Sequence, residues 1–63
     1  MNTGTVKFYS EWRRFGTIID NQTSEEYYVH GIDLIDDIEQ GDQVTFELKE
    51  ISRGYQVVNV RVV

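Results

Sequence analysis

Cysteine and proline are both missing from this chain, and histidine and tryptophan occur once each. Without cysteine there is no disulfide framework and no thiolate metal site, so the core alone must hold the domain together. Beside the single histidine there is no cysteine nucleophile, no sequence-local serine and acid in a recognisable arrangement, and no second histidine for a metal, which argues against nucleophilic or zinc-dependent catalysis. The expectation is a protein that is not an enzyme and uses no metal or cofactor. No apolar run approaches the roughly 18 residues of a membrane span. The opening "MNTGTVKF" lacks the basic start and apolar centre of a signal peptide. Together these point to a soluble, cytoplasmic protein without membrane contact. Repeats, linkers and low-complexity stretches are absent too, so residues 1–63 are expected to form a single domain.

Hydrophobic residues make up 40% and aromatics 13% of the chain, enough for a folded protein and too many rings for a disordered one. Positive charge is scarce: the net charge is -5, which argues at first against a polyanionic partner. Its distribution argues otherwise. Residues 1–19 hold Lys7, Arg13 and Arg14 against Glu11, a net of +2, whereas residues 20–50 hold ten acids against Lys49, a net of -9. Arg53 and Arg61 follow in the remainder. A local field in the N-terminal third can therefore attract what the whole molecule repels.

Short runs of β-branched and aromatic residues separated by turn-formers indicate an all-β barrel or sandwich. Five strands are expected: Gly4–Ser10, Phe15–Asp20, Glu25–His30, Gln43–Lys49 and Tyr55–Val62. The fourth has period two, with Val44, Phe46 and Leu48 on one face. The fifth places Val58, Val60 and Val62 together by the same rule. Between the third and fourth strands, Ile32, Ile35 and Ile38 recur among acids, which suggests a short helical or 3₁₀ turn ended by Gly41. Asp33, Asp36, Asp37 and Glu39 lack the spacing of a calcium loop and read as a solvated acidic face.

The stretch "EWRRFGTIID" sets rings beside cations. If Gly16 and Ile18 point inward, Phe15 and Thr17 point outward; if Tyr27 and Val29 point inward, Tyr28 and His30 point outward. Phe15, Tyr28 and His30 then share an outer face, while Tyr27 reads as a core ring whose hydroxyl needs a partner. Phe8 shares the parity of Val6 and would be buried by simple alternation, so a bulge is required to bring Phe8 or Tyr9 onto that face. Edged by Lys7, Arg13 and Arg14, such a patch has what single-stranded nucleic acid needs: rings for unpaired bases, at about 1–3 kcal/mol each, and cations along the backbone.

At these residues the chain resembles the bacterial cold-shock domain family, five-stranded OB-fold barrels that bind single-stranded RNA and DNA. The family pattern G-x-V-K-W-F-N-x-x-K-G-F-G-F-I aligns without a gap to "GTVKFYSEWRRFGTI", Gly4 to Ile18, and V-F-V-H-F aligns to "YYVHG", Tyr27 to Gly31. "IEQGDQVTF" is similar to L-x-E-G-Q-x-V-x-F, and Asn59 and Val60 match the closing N-V. The resemblance implies an antiparallel OB-fold barrel. Its stacking rings would be Phe8, Tyr9, Phe15, Tyr28 and His30, and its phosphate-contacting cations Lys7 and Arg13. It also implies an RNA chaperone or a modulator of transcription or translation. Thr17 and Gly31 stand where the family has phenylalanines, Arg14 replaces a glycine, and the segment before the fourth strand is shorter than usual. Trp12, outside the motif, sits in the turn beside Arg13 as a candidate for the lost stacking area. Weaker binding over fewer bases is expected, by a monomer rather than a homodimer. The competing reading is a protein-docking OB-fold module or homodimer with little or no nucleic-acid affinity, which the acidic balance and the two lost rings would suit.

Overall fold

The computed structural model describes residues 1–63 and forms five antiparallel strands: β1 (Asn2–Ser10), β2 (Phe15–Asp20), β3 (Glu26–His30), β4 (Gln43–Ile51) and β5 (Gly54–Val62). They are ordered β3-β2-β1-β4-β5 in one sheet. The sheet curls until its edge strands β3 and β5 come close, although no ladder joins them. This is the partly open barrel of an OB-fold. Each strand falls within a residue or two of its expected span, and the expected fold class holds.

The interior is Val6, Ile18, Val29, Ile38, Val44, Phe46, Val57 and Val60, all at most 3% exposed. Burying a side chain of this kind contributes about 1.5–3 kcal/mol relative to leaving it in water. The period-two pattern of β4 works as expected, with Val44 and Phe46 fully inside and Leu48 packed at the margin. Tyr27 packs its ring on Phe46 at 6.2 Å, and this burial, ahead of the nearby Glu25 and Asp20 charges, raises its phenol pKa. Gly4 sits where β1 crosses the core: a Cβ there would lie 2.6 Å from Ile18 Cγ2 and 2.9 Å from the Phe46 ring. Only glycine allows that approach.

Two irregularities decide which side chains face out. In the β1–β2 ladder Val6 opposes Ile18 but Phe8 opposes Thr17, so Lys7 is an extra residue. Parity flips there: Val6 is buried, Phe8 is 43% exposed and Tyr9 turns back to pack against the core. In the β4–β5 ladder the register shifts between Thr45 and Glu47, and Asn59 adopts a left-handed backbone with φ 54°. That flip corrects the face expected for β5. Val57 and Val60 are inside, while Val58 is half-buried and Val62 is 39% exposed.

The acidic connection also departs from expectation. Its one helical turn is a 3₁₀ turn at Gly31–Asp33 ending at Leu34 rather than at Gly41, and Gly41 serves a separate turn just before β4 with φ 91°. Of the three spaced isoleucines only Ile38 is buried. Beyond the turn, Leu34 bridges Val60, and the Ile35 N–H donates to the Val60 carbonyl at 2.8 Å, tying the connection to β5. Two of its acids have specific work. Asp33 accepts from the Gln56 amide at 3.1 Å, and Asp36 accepts from the Val62 N–H at 3.0 Å.

Asp20 ends β2 and builds the turn into β3. Its carboxylate accepts from the Asn2 side-chain amide at 3.0 Å and from the Gln22 and Thr23 N–H groups at 2.8 and 3.2 Å. The Asn2 bond foremost, then the Gln22 N–H, hold its pKa below the ordinary carboxylate value against the opposing effect of burial.

Candidate nucleic-acid interface

The outer face of the β1–β2–β3 meander is built by cross-strand register. Phe15 opposes His30 and Thr17 opposes Tyr28, while on the other side Phe8 opposes Thr17. Phe15 stacks on its diagonal neighbour Tyr28 at 5.3 Å with 23° between planes, and its ring meets His30 at 5.4 Å in a tilted arrangement. Tyr28 is 68% exposed, Phe8 43%, and His30 is exposed as well. The result is a cluster of Phe15, Tyr28 and His30 in ring contact, with Phe8 across Thr17 on the neighbouring strand.

Thr17 lies at the centre of this face yet is only 1% exposed, flanked by Phe8 and Tyr28 on the neighbouring strands. Its Oγ1 is buried without a hydrogen-bond partner. An unpaired buried hydroxyl costs about 1–3 kcal/mol.

The cations differ from one another in what surrounds them. Lys7, the bulged residue, pairs with Glu26 at 3.3 Å, with both side chains about half exposed, so solvent screens the pair and it is easily exchanged for another anion. Arg13 is exposed in the β1–β2 turn, where its N–H donates to Ser10 Oγ at 3.2 Å. Trp12, at the tip of that turn, is 94% exposed and stands apart from the stacked rings. Tyr9 faces the opposite way from Phe8, with its ring against the core and bordering a separate cleft.

Arg14 closes the ring set at its other end. Its backbone lies in the left-handed region at φ 54°, a conformation that favours glycine, and its carbonyl accepts the Gly31 N–H at 2.8 Å. A Cβ on Gly31 would come within 2.8 Å of Arg14 Nε and 3.0 Å of Cζ. The Arg14 side chain therefore occupies the space that a side chain at position 31 would take.

Sequence reasoning did not single out Tyr55, Ile51 and Gln56. They join Tyr28 and His30 around a groove of about 390 Å³ at the open seam between β3 and β5. Tyr55 is 58% and Ile51 40% exposed. The available signal was an aromatic directly after Gly54, placed by the β4–β5 turn at a sheet edge. No group of three or more His, Asp or Glu side chains converges in a way that could hold a metal ion.

The sequence profile of the "'Cold-shock' DNA-binding domain" matches residues 2–63. Among individual proteins, the chain is 32% identical over 63 residues to the cold shock-like protein CspA of Shewanella violacea, covering 94% of this chain and 90% of that one. It is 32% identical over 65 residues to the cold shock-like protein CspA of Stigmatella aurantiaca, with 97% and 96% covered. Cold shock protein CspC of Bacillus subtilis is 29% identical, with 97% of both chains covered. With an OB-fold barrel, the motif order of the family and a match along nearly its whole length, the chain belongs to the cold-shock DNA-binding domain family, whose members are nucleic-acid-binding proteins and not enzymes.

Proposed function

We infer that this protein binds single-stranded RNA or DNA through the outer face of β1–β3, holding bases unpaired as an RNA chaperone or as a modulator of transcription or translation. The observation that carries this reading is the Phe15 ring stacked on Tyr28 and tilted against His30, on a solvent-facing sheet with Phe8 alongside. Every base has a π-face, so such rings accept single strands with little regard to sequence and need no large positive charge. Lys7 and Arg13 flank the rings and supply the phosphate contacts. The reading is of a monomer acting in the cytoplasm without a cofactor. No helix is long and apolar enough to cross a membrane.

Fluorescence anisotropy of short labelled single strands, with duplex controls, tests it directly. Micromolar or tighter binding to single strands and none to duplex is expected. Phe15→Ala and Tyr28→Ala should each weaken binding by about 1–3 kcal/mol while the circular dichroism spectrum stays unchanged. Absence of binding even at low salt would favour the protein-docking reading instead. Unfolding of the Phe15 variant alone would make that half-buried ring a core residue and leave Tyr28 to decide the face.

A further inference from the structure

Beside the ring set lies a second feature, a cleft of about 320 Å³ at the point where the β2–β3 ladder ends. Tyr9 and Gly31 are among its lining, and Arg14, Glu11, Asp36 and Asp37 bring charge to it. The Arg14 guanidinium lies over Gly31, yet it makes no ion pair, since the chain's one salt bridge is Lys7–Glu26, and none of its N–H groups donates to a protein side chain. Asp36 spends one carboxylate oxygen on the Val62 N–H, while the Glu11 and Asp37 carboxylates have no hydrogen-bond partner in the protein. Unpaired donors and acceptors on exposed side chains thus line one space.

The charge of that space restricts its occupant. Three carboxylates against one guanidinium leave a net of -2, which repels a phosphate. The same groups do not converge as a metal site. A neutral base that offers acceptors to the guanidinium and donors to a carboxylate fits. Guanidinium donors form a rigid fork that pairs with two adjacent acceptors, and an ionised carboxylate accepts two adjacent donors. Guanine alone among the bases has both: O6 and N7 side by side as acceptors, and N1–H beside N2–H₂ as donors. Uracil and thymine place their single donor between two acceptors, adenine alternates acceptor and donor, and cytosine has adjacent acceptors at N3 and O2 but only the N4 amino group as a donor.

We propose that this cleft is a guanine-reading subsite at the end of the ring platform, with Arg14 meeting O6 and N7 and the Asp37 or Glu11 carboxylate meeting N1–H and N2–H₂. The inference rests on the single-strand reading above and adds a base preference to it. To enter the cleft, a strand crossing Tyr28, Phe15 and His30 turns around the end of the β2–β3 ladder, past Arg14 and Gly31. Its backbone stays over the rings and away from the carboxylates.

The test uses the wild-type protein and labelled hexamers: all-thymidine, and the same strand with one deoxyguanosine at either end. One guanosine position should tighten binding about tenfold, in the range of a bidentate base contact. Replacing that guanine with 7-deazaguanine, which lacks the N7 acceptor, or with hypoxanthine, which lacks the N2 donors, should each remove most of the gain. Arg14→Lys keeps the charge and loses the fork, so it should abolish the excess of guanosine-strand over all-thymidine affinity. Equal affinity for the thymidine and guanosine strands, or equal affinity for guanine and both analogues, overturns the subsite and leaves the platform standing. If no single strand binds at all, the platform reading falls, and the subsite with it.

Discussion

Thr17 carries the chain's one buried, unpartnered side-chain hydroxyl. It stands between Phe8 and Tyr28, at a position where members of the family present another ring. Removing the hydroxyl while keeping the shape should therefore stabilise the protein. Thr17→Val is expected to raise stability by about 1 kcal/mol, which in a domain of this size is about 4–8 °C in Tm. A fall in Tm on calorimetry would mean that the hydroxyl has a partner in solution. The same position shows what sequence alone could resolve. Alternation placed Thr17 outward, and it does lie on the outer face, but its burial depends on rings from two other strands.

The β2–β3 connection is organised by one carboxylate, which gives this element a specific response to acid. Asp20 is held below its ordinary pKa in the folded state, so its contribution is present at pH values above its unfolded value of about 3.9 and is lost as pH falls through the lower folded one. In Asp20→Asn no charge titrates, and the Asn2 amide meets another amide. Urea midpoints measured from pH 6 to pH 2.5 should drop more steeply for the wild type than for Asp20→Asn below about pH 4. Parallel curves would show that this carboxylate's bonds do not form in solution. Elements of this kind were legible: β2 and β4 follow uninterrupted alternation, and "NQTS" marks the turn. Where an extra residue enters a strand, the period is lost. Lys7 puts Phe8 outside and Tyr9 inside, and the irregularity around Asn59 exchanges Val58 for Val57 in the core. Lys7 itself gives no composition signal of a bulge, because the shift arises from pairing with β2. The Arg14–Gly31 contact was equally hidden, since it exists only once the β2–β3 ladder has brought the two residues together.

For the molecule as a whole, the proposed function reconciles the excess of acid with a polyanionic partner by letting stacking carry most of the binding. Salt measures the division. Were Lys7, Arg13 and Arg14 all to meet phosphates, log affinity against log salt would fall with a slope near about -2, at roughly 0.7 per phosphate neutralised. With Arg14 committed to a base edge, two cations remain and the slope should be about -1.4. Titrations of the all-thymidine and guanosine hexamers between low and moderate salt separate these values, and a slope steeper than about -3 would contradict a stacking-dominated interface.

Phe8, Phe15, Tyr28 and His30 all belong to the contiguous β1–β3 meander, while β4 and β5 contribute Val44, Phe46, Val57 and Val60 behind it. The rings of the proposed surface thus lie in the first half of the chain, which also sends Val6, Ile18 and Val29 into the core that β4 and β5 complete. Under the proposed reading, the exposed ring positions can change without disturbing the buried ones that alternate with them, so a domain this small can diverge in preference without first acquiring a new scaffold.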